Sequence, residues 1–325
     1  MGFLGQTRSL LITGLADVFA AVREESRRPG ERFGLVLMVV SAACFALMAA
    51  IAKKLLPTTP MQAVVFSRGI LMTTTFVALA RRQGVPVIGN HPWMLLFRGL
   101  LGYGALSCYF WSVQHLPLGD AVLLQYSHPI FVAALAPFVL HEATGRWHWP
   151  LVVGALAGVA LIVGPAHGFR GAALIGLCGS MLSGTAYMAV RRLSRTEHAL
   201  TILIWFPLAS IPASLVATLH AGKAALPRTG AEIAGHLLVF VSALVGQWTL
   251  TSGLARAGAA RATAVTMTGP VFGLAFGWLM FGTRPVLESL AGTAIVIAAV
   301  ILLAKEKKKP VDLVETREES VVSSR

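Results

Sequence analysis

A chain of 325 residues that is 56% hydrophobic and only 13% charged, with a formal net charge of +13, lies outside the range of ordinary soluble domains and of disordered chains. It reads as an integral membrane protein. Nucleic-acid binding is excluded because no basic, aromatic-interleaved soluble segment carries it, and the positive charge suits anchoring to anionic lipid at a cytoplasmic face.

Residues 1–32 form a cytoplasmic N-terminal segment. Leu11, Leu15, Val18 and Val22 make one helical stripe ahead of the charged run Arg23-Glu24-Glu25-Ser26-Arg27-Arg28, the pattern of an interfacial helix. Asp17 interrupts the apolar stretch, against a cleaved signal peptide, and Gln6 stands where myristoylation of Gly2 would need Ser or Thr. A membrane helix needs roughly 20 apolar residues. Breaking the chain at Pro, Gly and charge clusters gives ten spans, near 33–56, 60–80, 93–114, 118–140, 150–165, 170–190, 199–220, 233–255, 260–282 and 285–304. The tail 306–325, with Glu315, Glu318 and Glu319, reads as disordered and cytoplasmic. Cys44, Cys108 and Cys178 fall inside spans as small buried residues, so neither a disulfide, a metal site nor a cofactor is expected.

The chain also repeats itself. Ser127-His128-Pro129-Ile130-Phe131 returns 141 residues later as Thr268-Gly269-Pro270-Val271-Phe272, and the register extends to Ala121 with Ala262 and Ala134 with Ala275. The halves are then 33–166 and 167–305, with five spans each, and an odd number of crossings inverts the second copy. The expected fold class is an all-α integral membrane protein of ten transmembrane helices arranged as two inverted five-helix repeats. With both termini cytoplasmic in a plasma (inner) membrane, eight loop Lys and Arg lie inside, from Arg81 and Arg82 to Arg256 and Arg261. Six lie outside: Lys53, Lys54, Arg170, Lys223, Arg228 and Arg284. Loops alone give only eight against six, so the basic tails carry much of the case for this orientation. Proline-interrupted helices at matching places in two halves point to a transporter whose site lies where the halves meet.

Several segments carry a family resemblance. Phe66-Ser67-Arg68-Gly69, Phe97-Arg98-Gly99-Leu100-Leu101-Gly102, Leu118-Gly119-Asp120-Ala121, Ser127-His128-Pro129-Ile130-Phe131 and His141-Glu142 together resemble the EamA domain of the drug/metabolite transporter superfamily, over residues 33–305. The Arg98-Gly99 and Asp120-Ala121 segments are especially similar to the group G branch of solute carrier family 35 and to bacterial S-adenosylmethionine uptake carriers. The resemblance implies ten helices around a central cavity lined mainly by spans 1, 3, 4, 6, 8 and 9, and alternating access as the mechanism. The second half departs from it at Thr283, where the first half has Glu142.

The candidate substrate-binding residues are Arg68, Arg98, Tyr109, Gln125, His128 and Trp248. Arg68 lies about eight residues, or roughly 12 Å, into the second span. At that depth a charge is costly and faces a cavity or a partner. Its guanidinium reads either as a forked donor for a carboxylate or phosphate, or as a structural group capping helix carbonyls. Arg98, close to Trp93 at the membrane edge, can snorkel as well as bind. Pro129 and Pro270 read as helix breakers; Pro129 deprives the Gln125 carbonyl of its helical donor, beside the Gln125 and His128 side chains. These groups either line a wet site or satisfy each other. Tyr109 and Trp248 offer amphipathic rings for a planar or cationic group, or pack helices together. Tyr187 with Ser180 and Ser183 is a weaker candidate set. Of the ionisable groups, His128 is the deep one able to change charge near neutral pH, since Asp120, Glu142, Glu232 and Glu288 fall near span ends.

These residues suit a secondary carrier of a small polar metabolite, bearing a carboxylate: an organic acid, an amino acid or a derivative such as S-adenosylmethionine. Its partners are the small-molecule substrate, the lipid bilayer and, optionally, a second copy of the chain. A passive channel is the alternative. No catalytic residue is assigned: His141-Glu142 starts like HExxH, but Gly145 lacks the second imidazole, and no nucleophile-base set appears.

Overall fold

The computed structural model describes residues 29–139, 146–163, 171–220, 227, 229–254, 256 and 265–305. The N-terminal stripe, His141-Glu142, Ala262, the basic residues Arg170, Lys223, Arg228 and Arg261, and the tail 306–325 lie outside them. Eleven helices run through the described residues: α1 Pro29–Leu55, α2 Met61–Arg82, α3 Pro92–His115, α4 Leu118–Gln125, α5 His128–Val139, α6 His148–Val163, α7 Gly171–Leu193, α8 Ala199–His220, α9 Gly230–Leu254, α10 Gly269–Phe281 and α11 Leu287–Lys305. They make a ten-span, all-α membrane fold, because α4 and α5 together form the fourth span.

That split has a local cause. Pro129 has no N–H to give the Gln125 carbonyl, and the chain turns through Tyr126 and Ser127 before α5 resumes at His128. The Ser127 N–H donates to the Leu124 carbonyl at 3.1 Å. The equivalent Thr268 N–H donates to the Val265 carbonyl at 3.0 Å, and α10 starts only at Gly269, with Pro270 in its first turn. Both copies thus break in the same way at the same place.

Packing follows the repeat as well. Exchanging spans 1–5 with 6–10 converts the α1–α9 contact into α3–α7, the α3–α8 contact into α2–α9, and the α1–α10 contact into that of α7 with α4 and α5; all of these contacts occur. The α2–α8, α6–α11 and α4–α10 contacts map onto themselves. A helix bundle whose contact pattern survives this exchange is two inverted five-helix repeats interleaved, so every major interface joins one half to the other.

Small residues allow the closest of these approaches. Gly269, Gly273 and Gly277 form one stripe of α10 and press on α4: a Cβ on Gly269 would sit 2.2 Å from the Tyr126 ring, and one on Gly273 2.7 Å from Val122. The fit is reciprocal at Gly119 of α4, where a Cβ would meet Leu274 at 2.4 Å. Around this seam Leu118, Leu123, Leu124 and Ile130 are essentially fully buried and join one continuous core with Phe110 and Val113 of α3.

Candidate functional site

The loop before α3 is docked onto the second half, and this fixes where Arg98 lies. Glu197 is buried and accepts the Asn90 N–H at 2.8 Å and the His91 N–H at 2.7 Å. Its carboxylate therefore sits at the N-terminus of α3, where the free N–H groups and the helix dipole favour an anion. Thr201 Oγ1 donates to the Pro86 carbonyl at 2.7 Å and Trp205 Nε1 to the Val87 carbonyl at 3.1 Å. Gly89 is required at this crossing: its φ is +76° and a Cβ would meet Glu197 Oε2 at 2.7 Å. Two turns into α3, Gly99 lies against Ala209 and the Trp205 carbonyl, and Gly102 against the Phe206 ring, so α3 meets α8 backbone to side chain.

Two arginines converge on that ring. The Arg68 guanidinium carbon is 5.3 Å from the Phe206 ring centre and that of Arg98 4.8 Å. Arg68 is 3% exposed, and Nε and Nη1 of both residues are buried without a hydrogen-bond partner. Cation–π contact recovers part of the lost hydration, but it leaves the N–H donors unused. Two cations from α2 and α3 of the first half thus share one aromatic of α8 in the second half, with N–H donors left over.

A second polar group forms at the break in the fourth span. His128 Nδ1 donates to the Gln125 carbonyl at 3.0 Å, so the acceptor freed by Pro129 is taken by the neighbouring ring. Gln125 Nε2 donates to Ser183 Oγ of α7 at 2.8 Å, while Gln125 Oε1 and the hydroxyl of Ser180, one turn before Ser183, are buried and unpartnered. The His128 ring stacks on Tyr187 at 4.7 Å and 8° between planes. Tyr187 itself remains 44% exposed.

The other sequence candidates are placed elsewhere. Tyr109 is buried in the α3 core and tilted against Phe110. Trp248 is 56% exposed and lines a groove with Phe76, Leu79, Leu200 and Leu203; the groove comes within one turn of Phe206 but contains neither arginine. Phe206, Glu197 and His236 are residues that sequence reading missed. Each acts through a partner at least 106 residues away in the chain, so no local pattern marks it. Another polar set joins Tyr103, whose hydroxyl donates to Gln62, and Gln62, which donates to Ser107. Among the described residues no group of three His, Cys, Asp or Glu is arranged to hold a metal ion.

Comparison with known proteins gives one consistent result. The EamA-like transporter family matches residues 32–164 and again 170–305. The pseudopaline exporter of Pseudomonas aeruginosa is 31% identical over 278 residues, 85% of this chain and 97% of the exporter. A riboflavin transporter of Rhizobium johnstonii is 26% identical over 70% of this chain and 76% of its own length. A solved crystal structure at 19% identity superposes with a TM-score of 0.61 over 86% of this chain and 97% of its own, a likeness of fold.

Proposed function

The chain belongs to the EamA-like transporter family and is a secondary membrane transporter rather than an enzyme; from that premise we propose that it carries a small metabolite bearing a carboxylate or similar anionic group. The observation behind this reading is the pair of buried arginines, Arg68 and Arg98, with unused donors on the Phe206 ring. An anion placed there accepts the N–H groups that the protein leaves unpaired, and its charge offsets two guanidiniums held out of water. Gln125 Oε1 and the Ser180 hydroxyl, buried without partners, offer hydrogen bonds to the rest of the substrate. Organic acids, amino acids and S-adenosylmethionine all fit this description. The last accords with the similarity of the Arg98-Gly99 and Asp120-Ala121 segments to S-adenosylmethionine carriers and to the group G branch of solute carrier family 35.

In this reading the substrate site opens alternately to the two sides as the inverted halves exchange conformations. Both termini lie in the cytoplasm and the bilayer is the plasma (inner) membrane, as the basic tails favour. The test is uptake of labelled citrate, S-adenosylmethionine and several amino acids into proteoliposomes, with and without internal substrate, comparing wild type with Arg68→Ala. Saturable uptake of a carboxylate that the folded variant loses is the expected result. Undiminished transport by Arg68→Ala makes this arginine structural and moves the site to Gln125, His128 and Trp248.

A further inference from the structure

The positive charge at the Phe206 ring is double. Arg68 comes from α2 and Arg98 from α3, and their guanidinium carbons lie 5.3 and 4.8 Å from the same ring centre. Measured through that centre, the two are at most about 10 Å apart, close enough for one small molecule to touch both. Nε and Nη1 of each are buried with no hydrogen-bond partner. A ring face attracts a cation but neutralises none of its charge.

The protein supplies no counter-charge at this place. The three helices that meet at the ring, α2, α3 and α8, contain no Asp or Glu along their whole length. The acids of the described residues stand at helix starts instead. Glu197 is committed to the Asn90 and His91 N–H groups ahead of α3, and Glu232 accepts the Thr229 N–H at 3.3 Å at the start of α9. Asp120 and Glu288 occupy the first turns of α4 and α11, and Glu31 that of α1. Two buried cations without a carboxylate are costly for the empty protein, and what balances them has to arrive with the substrate.

We propose that the carrier selects dicarboxylates, with Arg68 and Arg98 each taking one carboxylate of the same molecule. This rests on the anion reading of the arginine pair and narrows it from any carboxylate to a substrate with two. A single carboxylate offsets one guanidinium and leaves the other as it is in the empty protein. A ligand that carries an ammonium or sulfonium beside one carboxylate brings a further cation to helices that have no acid to receive it. Two carboxylates on a short chain use the spare donors of both arginines through charge-assisted hydrogen bonds. Arg98 is then the residue that separates diacids from monoacids.

The test is titration calorimetry on the full chain in detergent, with diacids set against monoamides of nearly the same size: succinate with succinamate, glutarate with glutaramate, and glutamate with glutamine. Each diacid is expected to bind at least about tenfold more tightly than its monoamide. In Arg98→Met that preference is expected to disappear, because the second carboxylate has lost its partner, while Arg98→Lys keeps the charge and retains most of it. A variant that is merely damaged weakens both members of a pair alike, so only their ratio reports contact with the second carboxylate. Arg98→Gln serves if the Met variant does not fold. Equal binding of a diacid and its monoamide, or a preference that survives the loss of the Arg98 charge, overturns the proposal and leaves the anion reading standing. Tighter binding of S-adenosylmethionine than of every diacid does the same. If no carboxylate binds at all, the anion reading and this narrowing of it fall together.

Discussion

Arg68 is a cation in a place where the empty protein gives it little. Its nearest compensation is the face of Phe206 at 5.3 Å, with Nε and Nη1 unbonded, and a buried charge without a partner lowers stability. Stability and function are therefore expected to part company at this position. Arg68→Met, which keeps the length of the side chain and removes the charge, should raise the thermal stability of the substrate-free protein by about 1–4 kcal/mol while abolishing saturable anion uptake. Melting in detergent alongside proteoliposome uptake checks both; a variant that melts lower would mean that Arg68 holds the fold together. Depth made Arg68 legible in the sequence, because a charge about 12 Å into a span needs a reason. Phe206 was not legible, since one aromatic among many in apolar helices carries no mark until α3 and α8 meet. Of the two readings of Arg98, snorkelling or binding, the side chain's position fits the inward one: it turns over Gly102, whose missing side chain leaves room for its Nη1.

The seam of α4 and α10 shows how sequence sets helix geometry. The duplicated prolines made both breaks readable in advance. The contact they prepare was not, because it depends on pairing Tyr126 with Gly269 and Val122 with Gly273 across more than 140 residues. At Gly269 a Cβ would overlap the Tyr126 ring, so Gly269→Ala should cost about 1–3 kcal/mol by overpacking. Tyr126→Leu in the same chain should recover much of that loss by clearing the space. Thermal melts of the two single variants and the double variant give the coupling energy; additive losses would show that the two residues do not meet. The same reasoning applies where α3 is capped. Removing the charge of Glu197 by Glu197→Gln leaves the Asn90 and His91 N–H groups a weaker acceptor and should cost about 1–3 kcal/mol, read by the same melts.

At the scale of the whole molecule, the two halves are alike in topology but unlike in this conformation. On one side α3 lies close against α8 through Gly99 and Gly102, with the loop before it held by Glu197, Thr201 and Trp205. The related α9–α2 contact is bridged by Ser67 and His236. In an inverted repeat, exchanging the conformations of the halves turns one access state into the other. The α3–α8 contact should then loosen as α9–α2 tightens, and the Glu197 hydrogen bonds should break. Spin labels at Ile88→Cys and Arg195→Cys, both exposed positions flanking the docked loop, would report this in a chain with Cys44, Cys108 and Cys178 replaced. The expected distance distribution is a single short peak for the protein alone, with a second, longer population when a carried anion is added or when Glu197 is changed to Gln. The Glu197 variant should shift the same way without substrate, because it weakens only the contacts present in the closed end. One short distance under every condition would mean that this end never opens, and the access change would have to come from the α9–α2 side alone, against the symmetry of the fold.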